Sequence, residues 1–391
     1  MFQIFVNCYD QKKNMQRKNI TVVHIFLTLN MGGMESVGVN LILGLQKKNV
    51  KNHVICLDEK GIFAEQLEQA GVSVWCANRI NKSKVSLLRE LASYIRCLEV
   101  DIVHTHNPAP NLWGGMAAFL AGVPLRISTH HGINKAQLAS KKRRWLSCIA
   151  SLFCHQTVTV SKALEIQLKK ESFGSAASIS TIYNGVDISF FDPKIDGRLN
   201  RNDFGIDAEE RVIGSVARFS DDKDYITLIS AFDVLRSKGI AGKLLLIGDG
   251  DTRSHIEQQA KGLKFSSDII FLGQRTDISD LLSLFDIYVL STHTEGVSIS
   301  LLEAMAMQLP VVATAVGGNV EVIESNISGL LSNASDVNSL TDHLMTLCTD
   351  KQKVNQISLA ARHRVESIFS LDAMVKSYYH LYTQQNVETT Q

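Results

Sequence analysis

The chain has 391 residues, 45% apolar and 20% charged, with 40 Lys+Arg against 39 Asp+Glu for a net charge of +1. That length exceeds what one hydrophobic core fills and predicts two domains, while the composition excludes a disordered chain. Near-neutrality over the whole chain argues against a nucleic-acid binder, which carries a basic excess.

Residues 1–18 precede the first convincing strand. Met1–Val6 is apolar but too short for the core of a secretory leader, and it runs into the charged stretch 10–18. The segment reads as a flexible extension, with Met15 a candidate translation start. From there, strands are predicted at Ile20–Leu29, His53–Leu57, Val72–Trp75, Asp101–His104, Leu125–Thr129, Gln156–Val160 and Ser178–Tyr183. Helical patterns lie between them. The clearest is Val85–Leu98, with Val85, Leu88, Leu91, Ala92, Ile95 and Leu98 on one face. Such alternation predicts parallel sheets with right-handed crossovers. The pattern breaks over 184–210, where Asp, Asn, Gly and Arg read as a linker with a short helix. It resumes with strands at Arg211–Ala217, Lys243–Ile247, Asp268–Leu272, Asp286–Leu290, Pro310–Thr314 and Ser328–Leu331. Residues from about Val337 to Thr383 are helical, and 384–391 form a polar tail. The fold class is therefore α/β: two Rossmann-like domains, at 19–190 and 191–369, with parallel sheets facing a central cleft.

Seven cysteines, at 8, 56, 76, 97, 148, 154 and 348, form no C-x-x-C pair and read as buried thiols in a reducing compartment. No window of about 18 apolar residues predicts a membrane span. Lys141, Lys142, Arg143 and Arg144 open a helix bearing Trp145, Leu146, Ile149 and Phe153 on one face. Two readings stand: docking on an anionic lipid surface, or a solvated helix start whose apolar face packs inward.

The most informative stretch runs from Asp286 to Ala306. A strand, a polar loop and a helix starting near Gly296–Ser298 would aim free N–H groups at the sheet's carboxyl edge, a place for a diphosphate. Glu295 and Glu303 lie eight residues apart, about 12 Å on a continuous helix. Glycosidase carboxylates sit roughly 5–9.5 Å apart, so these two read as a clamp on one long ligand, or as two surface carboxylates. Arg218 and Lys223 follow the first strand of the second half, placed to neutralise a diphosphate. Gly32 and Gly33 mark the first strand-to-helix turn of the chain, where backbone N–H groups approach a ligand. His131 follows the fifth strand. His104, His106 and Asn107 end the fourth and are acceptor-side candidates. His104 and His106 resemble a metal pair, but no third ligand follows at suitable spacing. Asp249 and Asp251 formally read Asp-x-Asp. Gly248-x-Gly250-x-x-Arg253 lacks the third glycine of a dinucleotide fingerprint.

Taken together, these motifs resemble the retaining glycosyltransferases of family 4. The match runs in order from about Ile20 to Leu331. It comprises Gly32-Gly33-Met34-Glu35, Thr129-His130-His131-Gly132, Val160-Ser161-Lys162, Tyr183-Asn184-Gly185-Val186-Asp187, Arg218-x4-Lys223, Gly248-Asp249-Gly250, Phe271-Leu272-Gly273, Glu295-x7-Glu303 and Gly317-Gly318-x2-Glu321. The resemblance implies a GT-B fold whose final helix, about 370–391, crosses back to the first domain. It implies that Arg218 and Lys223 hold the donor's phosphates with no metal or other cofactor. It assigns Glu303 to the ribose, Glu295 to the donor sugar, the N–H groups of Val297 and Ser298 to the phosphates, and Gly32 and Gly33 to the facing loop, with Glu35 in the first turn beyond. His131, picked over His130 by the Thr-x-His spacing, would lie beside the transferred sugar. Ser298 stands where the family often has Gly, and its added hydroxyl would tune the sugar. Phe271–Gly273 would line the base pocket near Arg275.

The implied function is retaining transfer of a hexose or hexosamine from a nucleotide-diphosphate sugar, UDP-linked, to a lipid-linked or oligosaccharide acceptor in surface-polysaccharide assembly. It would take place in the cytoplasm, at the membrane's inner face. Two alternatives of other classes are a GT-B epimerase releasing UDP and a non-catalytic nucleotide-sugar-binding partner. Split at the linker, residues 1–190 hold 22 basic against 12 acidic side chains, +10, and the remainder 18 against 27, −9. The basic half suits an anionic lipid-diphosphate acceptor.

Overall fold

In the computed structural model, residues 20–132, 141–171, 178–195 and 197–388 are described; the expected extension at 1–18 lies outside them. Runs of branched residues such as Thr21–Phe26 bury on both faces, as strands inside a parallel sheet do. Seven strands form the first sheet: β1 Thr21–Phe26, β2 Lys51–Cys56, β3 Ser73–Cys76, β4 Ile102–His106, β5 Leu125–His130, β6 Gln156–Thr159 and β7 Ser178–Thr181. Their order is β3-β2-β1-β4-β5-β6-β7, all parallel. The second sheet comprises β8 Arg211–Val216, β9 Gly242–Ile247, β10 Ile269–Gly273, β11 Ile287–Leu290, β12 Val311–Thr314 and β13 Leu330–Ser332. Its order is β10-β9-β8-β11-β12-β13, again all parallel. In each sheet the order reverses between the first strand and its fourth, β1/β4 and β8/β11. Ligands of open α/β sheets bind at that switch point, beyond the carboxyl ends of the strands.

The chain passes between the domains twice, side by side. Val186 N–H donates to the Phe369 carbonyl at 2.9 Å, and Leu371 N–H donates to the Val186 carbonyl at 2.8 Å. A Cβ on Gly185 would lie 2.5 Å from the Ser370 carbonyl, which explains the glycine in Tyr183–Asp187. Past this crossing, helix Leu371–Glu388 returns to the first domain. Met374, Val375, Tyr378 and Tyr382 join the same buried cluster as Val22, Leu41, Ile102 and Ile127. The predicted helix at Val85–Leu98 runs Lys84–Cys97 and buries Leu87, Leu91, Ala92 and Ile95. Val85 is instead exposed, because the true apolar stripe passes through Leu87.

Candidate active site

The loop between β11 and helix Ile299–Ala306 is fixed from two sides. From β8, Lys223 and Thr292 form an antiparallel bridge. The Thr292 hydroxyl and the His293 N–H both donate to the Asp222 carbonyl at 2.8 Å. That stitching lays the Lys223 ammonium on the Glu295 carboxylate, with the two side chains only 15% and 17% exposed. From β12, the turn at Gly317–Gly318 packs backbone against backbone. A Cβ on Gly317 would lie 2.0 Å from the Glu295 carbonyl, and one on Gly318 1.5 Å from the Gly296 carbonyl. Gly317 also has φ +50, a conformation that favours glycine.

Helix Ile299–Ala306 starts at the late edge of the expected Gly296–Ser298 window, with Ser298 as its N-cap accepting from the Leu301 N–H at 3.4 Å. Glu295 and Glu303 are therefore not on one continuous helix. The Ser298 hydroxyl, expected to face the sugar, is engaged in this cap and in a contact with Ser300 Oγ at 3.2 Å. Among the described residues, the N–H groups of Val297 and Ser298 have no acceptor. Glu303 lies one turn in, partly buried, and the loss of water pushes its carboxyl up to about 7. Tyr288, whose hydroxyl bonds Ser300 Oγ at 2.8 Å, is raised mainly by burial and further by Glu303 and Glu295. Both carboxylates thus bear on one buried phenol.

Arg218 stands at the rim, 70% exposed and 3.5 Å from Asp251, which is itself 91% exposed. Asp249 pairs with Arg253 at 3.2 Å, so the two acids of the Asp-x-Asp sequence face different arginines. Gly248 and Gly250 have φ +136 and +156 and lie against the Ala217 and Phe219 carbonyls. The segment is a glycine turn closing on the β8 loop. Arg275 near the expected base pocket is held by Asp277 at 2.5 Å.

From the first domain, Gly32 is the N-cap of helix Gly33–Gln46, without a side-chain cap bond. A Cβ on Gly33 would meet Ile299 at 3.6 Å, so two helix N-termini from different domains face one another. Glu35 folds back toward Gly32, and burial raises its carboxyl. Asn107 follows β4 in a strained conformation, φ 70 and ψ 170. It ties three loops together: its N–H donates to the Thr129 carbonyl at 3.0 Å, its Oδ1 accepts from the His131 N–H at 3.3 Å, and its amide touches the Met34 sulfur. The His131 carbonyl packs on Gly296, 2.4 Å from where a Cβ would stand. His131 and the Glu295 loop are therefore in contact across the domains.

The histidines depart most from expectation. His104 and His106 are 0% and 1% exposed, too deep to touch an acceptor, and a third histidine that sequence spacing did not reveal joins them. His24 on β1 is hydrogen-bonded in register beside β4, so its ring reaches theirs; one nitrogen from each of the three lies within 4.8 Å of the others. Every ring nitrogen of the trio already has a hydrogen-bond partner. Sequence reasoning also missed Glu321. Its carboxylate reaches from the second domain to the N–H groups of Lys162 and Ala163, at 2.8 and 2.7 Å, and to the Tyr183 hydroxyl at 3.0 Å. The Gly317-Gly318-x2-Glu321 spacing was its only signal.

Side chains of Lys141, Lys142, Arg143 and Arg144 lie outside the described set. Beyond them Trp145 and Leu152 are 65% and 67% exposed, and Phe119 and Leu120 on helix Pro108–Ala121 are 53% and 54% exposed. Among the described residues no helix is long and apolar enough to cross a membrane.

Residues 31–190 match the model of Glycosyltransferase Family 4, and residues 196–364 that of Glycosyl transferases group 1. Over 381 residues the chain is 25% identical to the UDP-Gal:alpha-D-GlcNAc-diphosphoundecaprenol alpha-1,3-galactosyltransferase of Escherichia coli, covering 93% of this chain and 96% of that one. It is 27% identical over 355 residues to the capsular polysaccharide biosynthesis glycosyltransferase CapM of Staphylococcus aureus, covering 83% and 88%. Among solved structures, Anabaena Alr3699/HepE in complex with UDP and glucose superposes with TM-score 0.82 at 21% identity, over 94% of this chain and 100% of that one. The fold is shared at that level.

Proposed function

The chain belongs to the glycosyltransferases, a Family 4 domain joined to a group 1 domain, and from that premise we propose what it transfers and how. It moves a hexose or hexosamine from a UDP-sugar to a hydroxyl of a lipid-linked or oligosaccharide acceptor in surface-polysaccharide assembly, with retention at the anomeric carbon. The observation that carries this reading is the meeting of the Lys223–Glu295 pair and the unpartnered Val297 and Ser298 N–H groups with the Gly32–Gly33 turn and His131 of the other domain. A cation, free N–H groups and a carboxylate able to accept from hydroxyls converge there, with Arg218 at the rim, the groups a sugar diphosphate needs. The E. coli and S. aureus relatives, by name, act on a UDP-sugar and in capsule synthesis, which supports the same class of donor and product.

In this scheme the diphosphate lies between the two helix N-termini, and Glu303 receives the ribose hydroxyls. Arg218 swings in from the rim as the diphosphate enters. Lys223 then divides its charge between Glu295 and the departing phosphate. Glu295, so held, accepts from hydroxyls of the donor sugar. As the glycosidic bond breaks, negative charge grows on the leaving oxygen, and preorganised cations and N–H dipoles stabilise it. The leaving phosphate takes the acceptor's proton, so no protein base is required. The basic helix start at 141–144, beside exposed Trp145, Leu152, Phe119 and Leu120, rests on the anionic face of the membrane.

A thermal-shift screen over nucleotide sugars identifies the donor, because a bound donor stabilises by mass action. Transfer to GlcNAc-diphosphoundecaprenol, followed by NMR of the new anomeric centre, tests acceptor and stereochemistry. Activity persists in excess EDTA; complete, metal-reversible loss overturns the metal-free scheme. Release of a free sugar epimer without acceptor favours the epimerase reading, and donor binding with neither hydrolysis nor transfer favours the non-catalytic one. Flotation of a variant with alanine at 141–144 tests the membrane contact, and unchanged binding to anionic vesicles overturns it.

A further inference from the structure

Three histidines and an asparagine form a single file of hydrogen bonds through the first domain, ending at the candidate site. At the inner end, Asn52 on β2 gives its amide protons to the carbonyls of Ile42 and Val50, at 3.3 and 3.0 Å. Its Oδ1 must therefore be the atom facing His24 Nε2, 3.3 Å away. An amide oxygen only accepts, so His24 Nε2 carries the proton. A neutral imidazole has one proton, which leaves His24 Nδ1 an acceptor. His106 Nε2, 3.4 Å from it, must then donate. The same step repeats: His106 Nδ1 accepts from His131 Nε2 at 3.3 Å. His131 Nδ1 is left as a lone pair, buried and, among the described residues, without a partner.

Among the described residues the file has no branch. His104 packs against His106 with ring centroids 4.2 Å apart, but its nitrogens bond the Tyr382 hydroxyl and Thr129 Oγ1, both at 2.7 Å. Phe26 stacks on the other side of His106 at 4.2 Å and 5°, so the ring is clamped. Burial keeps the rings neutral by lowering His24 and His131 to about 3 and His106 well below its ordinary value.

We infer that Asn52 sets the tautomer of His131 through His24 and His106, presenting Nδ1 to the site as a hydrogen-bond acceptor. The reversed file, with every proton on Nδ1, makes the same number of imidazole–imidazole bonds. It would set a His24 lone pair against the Asn52 oxygen, and that repulsion decides the direction. Resting on the transferase reading, the group that His131 meets is an O–H of the transferred sugar. A neutral acceptor also puts no positive charge beside a developing oxocarbenium ion. Asn52, His24 and His106 are positioning residues, and they touch no substrate.

Long-range proton–nitrogen NMR of ring-15N-histidine protein reads each tautomer with no substrate present. His24, His106 and His131 are expected as Nε2–H at pH 7.5. Any of the three as Nδ1–H or as a cation overturns the assignment. Because Nε2–H is already the commoner form in water, Asn52→Leu is the deciding variant. All three rings are expected to gain Nδ1–H character together, and kcat with the donor to fall about tenfold, the worth of one hydrogen bond to substrate. Three rings unchanged in a folded Asn52→Leu protein overturn the inference. If that variant does not fold, His24→Phe removes the anchor within a stacked site, and a mixed His131 tautomer is expected; an unchanged one overturns the inference. If the tautomers behave as stated but no nucleotide sugar supports turnover, the proposed function fails and the file stands.

Discussion

At the residue scale, the site is built on pairings that neighbours in space impose. Lys223 and Glu295 hold each other in a nearly buried ion pair, so neither side chain stands alone. Lys223→Ala should lower kcat about 10²-fold, as loss of one preorganised charge does, while costing about 1–3 kcal/mol of stability for the unpaired carboxylate. Steady-state kinetics beside thermal melts separates the two. Glu303 is poised near neutrality by burial, and under the proposed function its ionised form is the stronger acceptor for the ribose hydroxyls. Donor affinity should fall as pH drops below about 7, by up to tenfold per unit, and Glu303→Gln should flatten that profile in calorimetry. The neutral histidines act on folding in the same sense, to its loss as pH falls. His24 and His131 titrate at about 3 and His130 at about 4 when folded, below the unfolded 6.5. Their contribution is present above pH 6.5 and lost as pH falls toward 4, at up to about 1.4 kcal/mol per unit for each. Urea melts at stepped pH measure that slope, and flat stability between pH 6.5 and 4.5 would sink the claim.

At the element scale, the glycine turn at Gly317–Gly318 and helix Ile299–Ala306 place the Glu295 loop. Gly318 has an ordinary helical backbone, φ −72, so its need for glycine comes from close neighbours, the Gly296 carbonyl foremost and Val297 Cγ2 beside it. Gly318→Ala must displace that loop. It should cost about 2 kcal/mol or more and abolish donor-induced stabilisation together with turnover. A wild-type thermal shift with donor would show that the loop tolerates the side chain. Helix Ile299–Ala306 was legible from its apolar spacing and its start to within a residue or so, but the capping role of the Ser298 hydroxyl was not. Ser298 was read as a contact with ligand because cap and ligand both want a hydroxyl at the strand-to-helix turn.

At the scale of the whole molecule, Glu321 clasps the domains by accepting two N–H groups at the start of helix Lys162–Glu171 and the hinge hydroxyl of Tyr183. Under the proposed function the site is built from both domains, so this clasp would bear on catalysis from a distance. Glu321→Ala should lower kcat about tenfold, the worth of a charge-assisted bond or more, and enlarge the radius of gyration in small-angle scattering. The near-zero net charge is likewise a sum over two halves of the chain, +10 and −9.

The sequence by itself determined the α/β class, the two sheets and the order of the candidate loops along the chain. Strand and helix periodicities are local, and the motifs around Gly32, His131, Arg218 and Glu295 sit at strand ends wherever the sheets lie. Only tertiary structure decided which of these residues meet. Lys223 reaches Glu295 across 72 positions, and Asn52 directs His131 through His24 and His106. Such partnerships depend on which strands become neighbours in a sheet. A neighbour three strands away in space leaves no spacing in the chain to read.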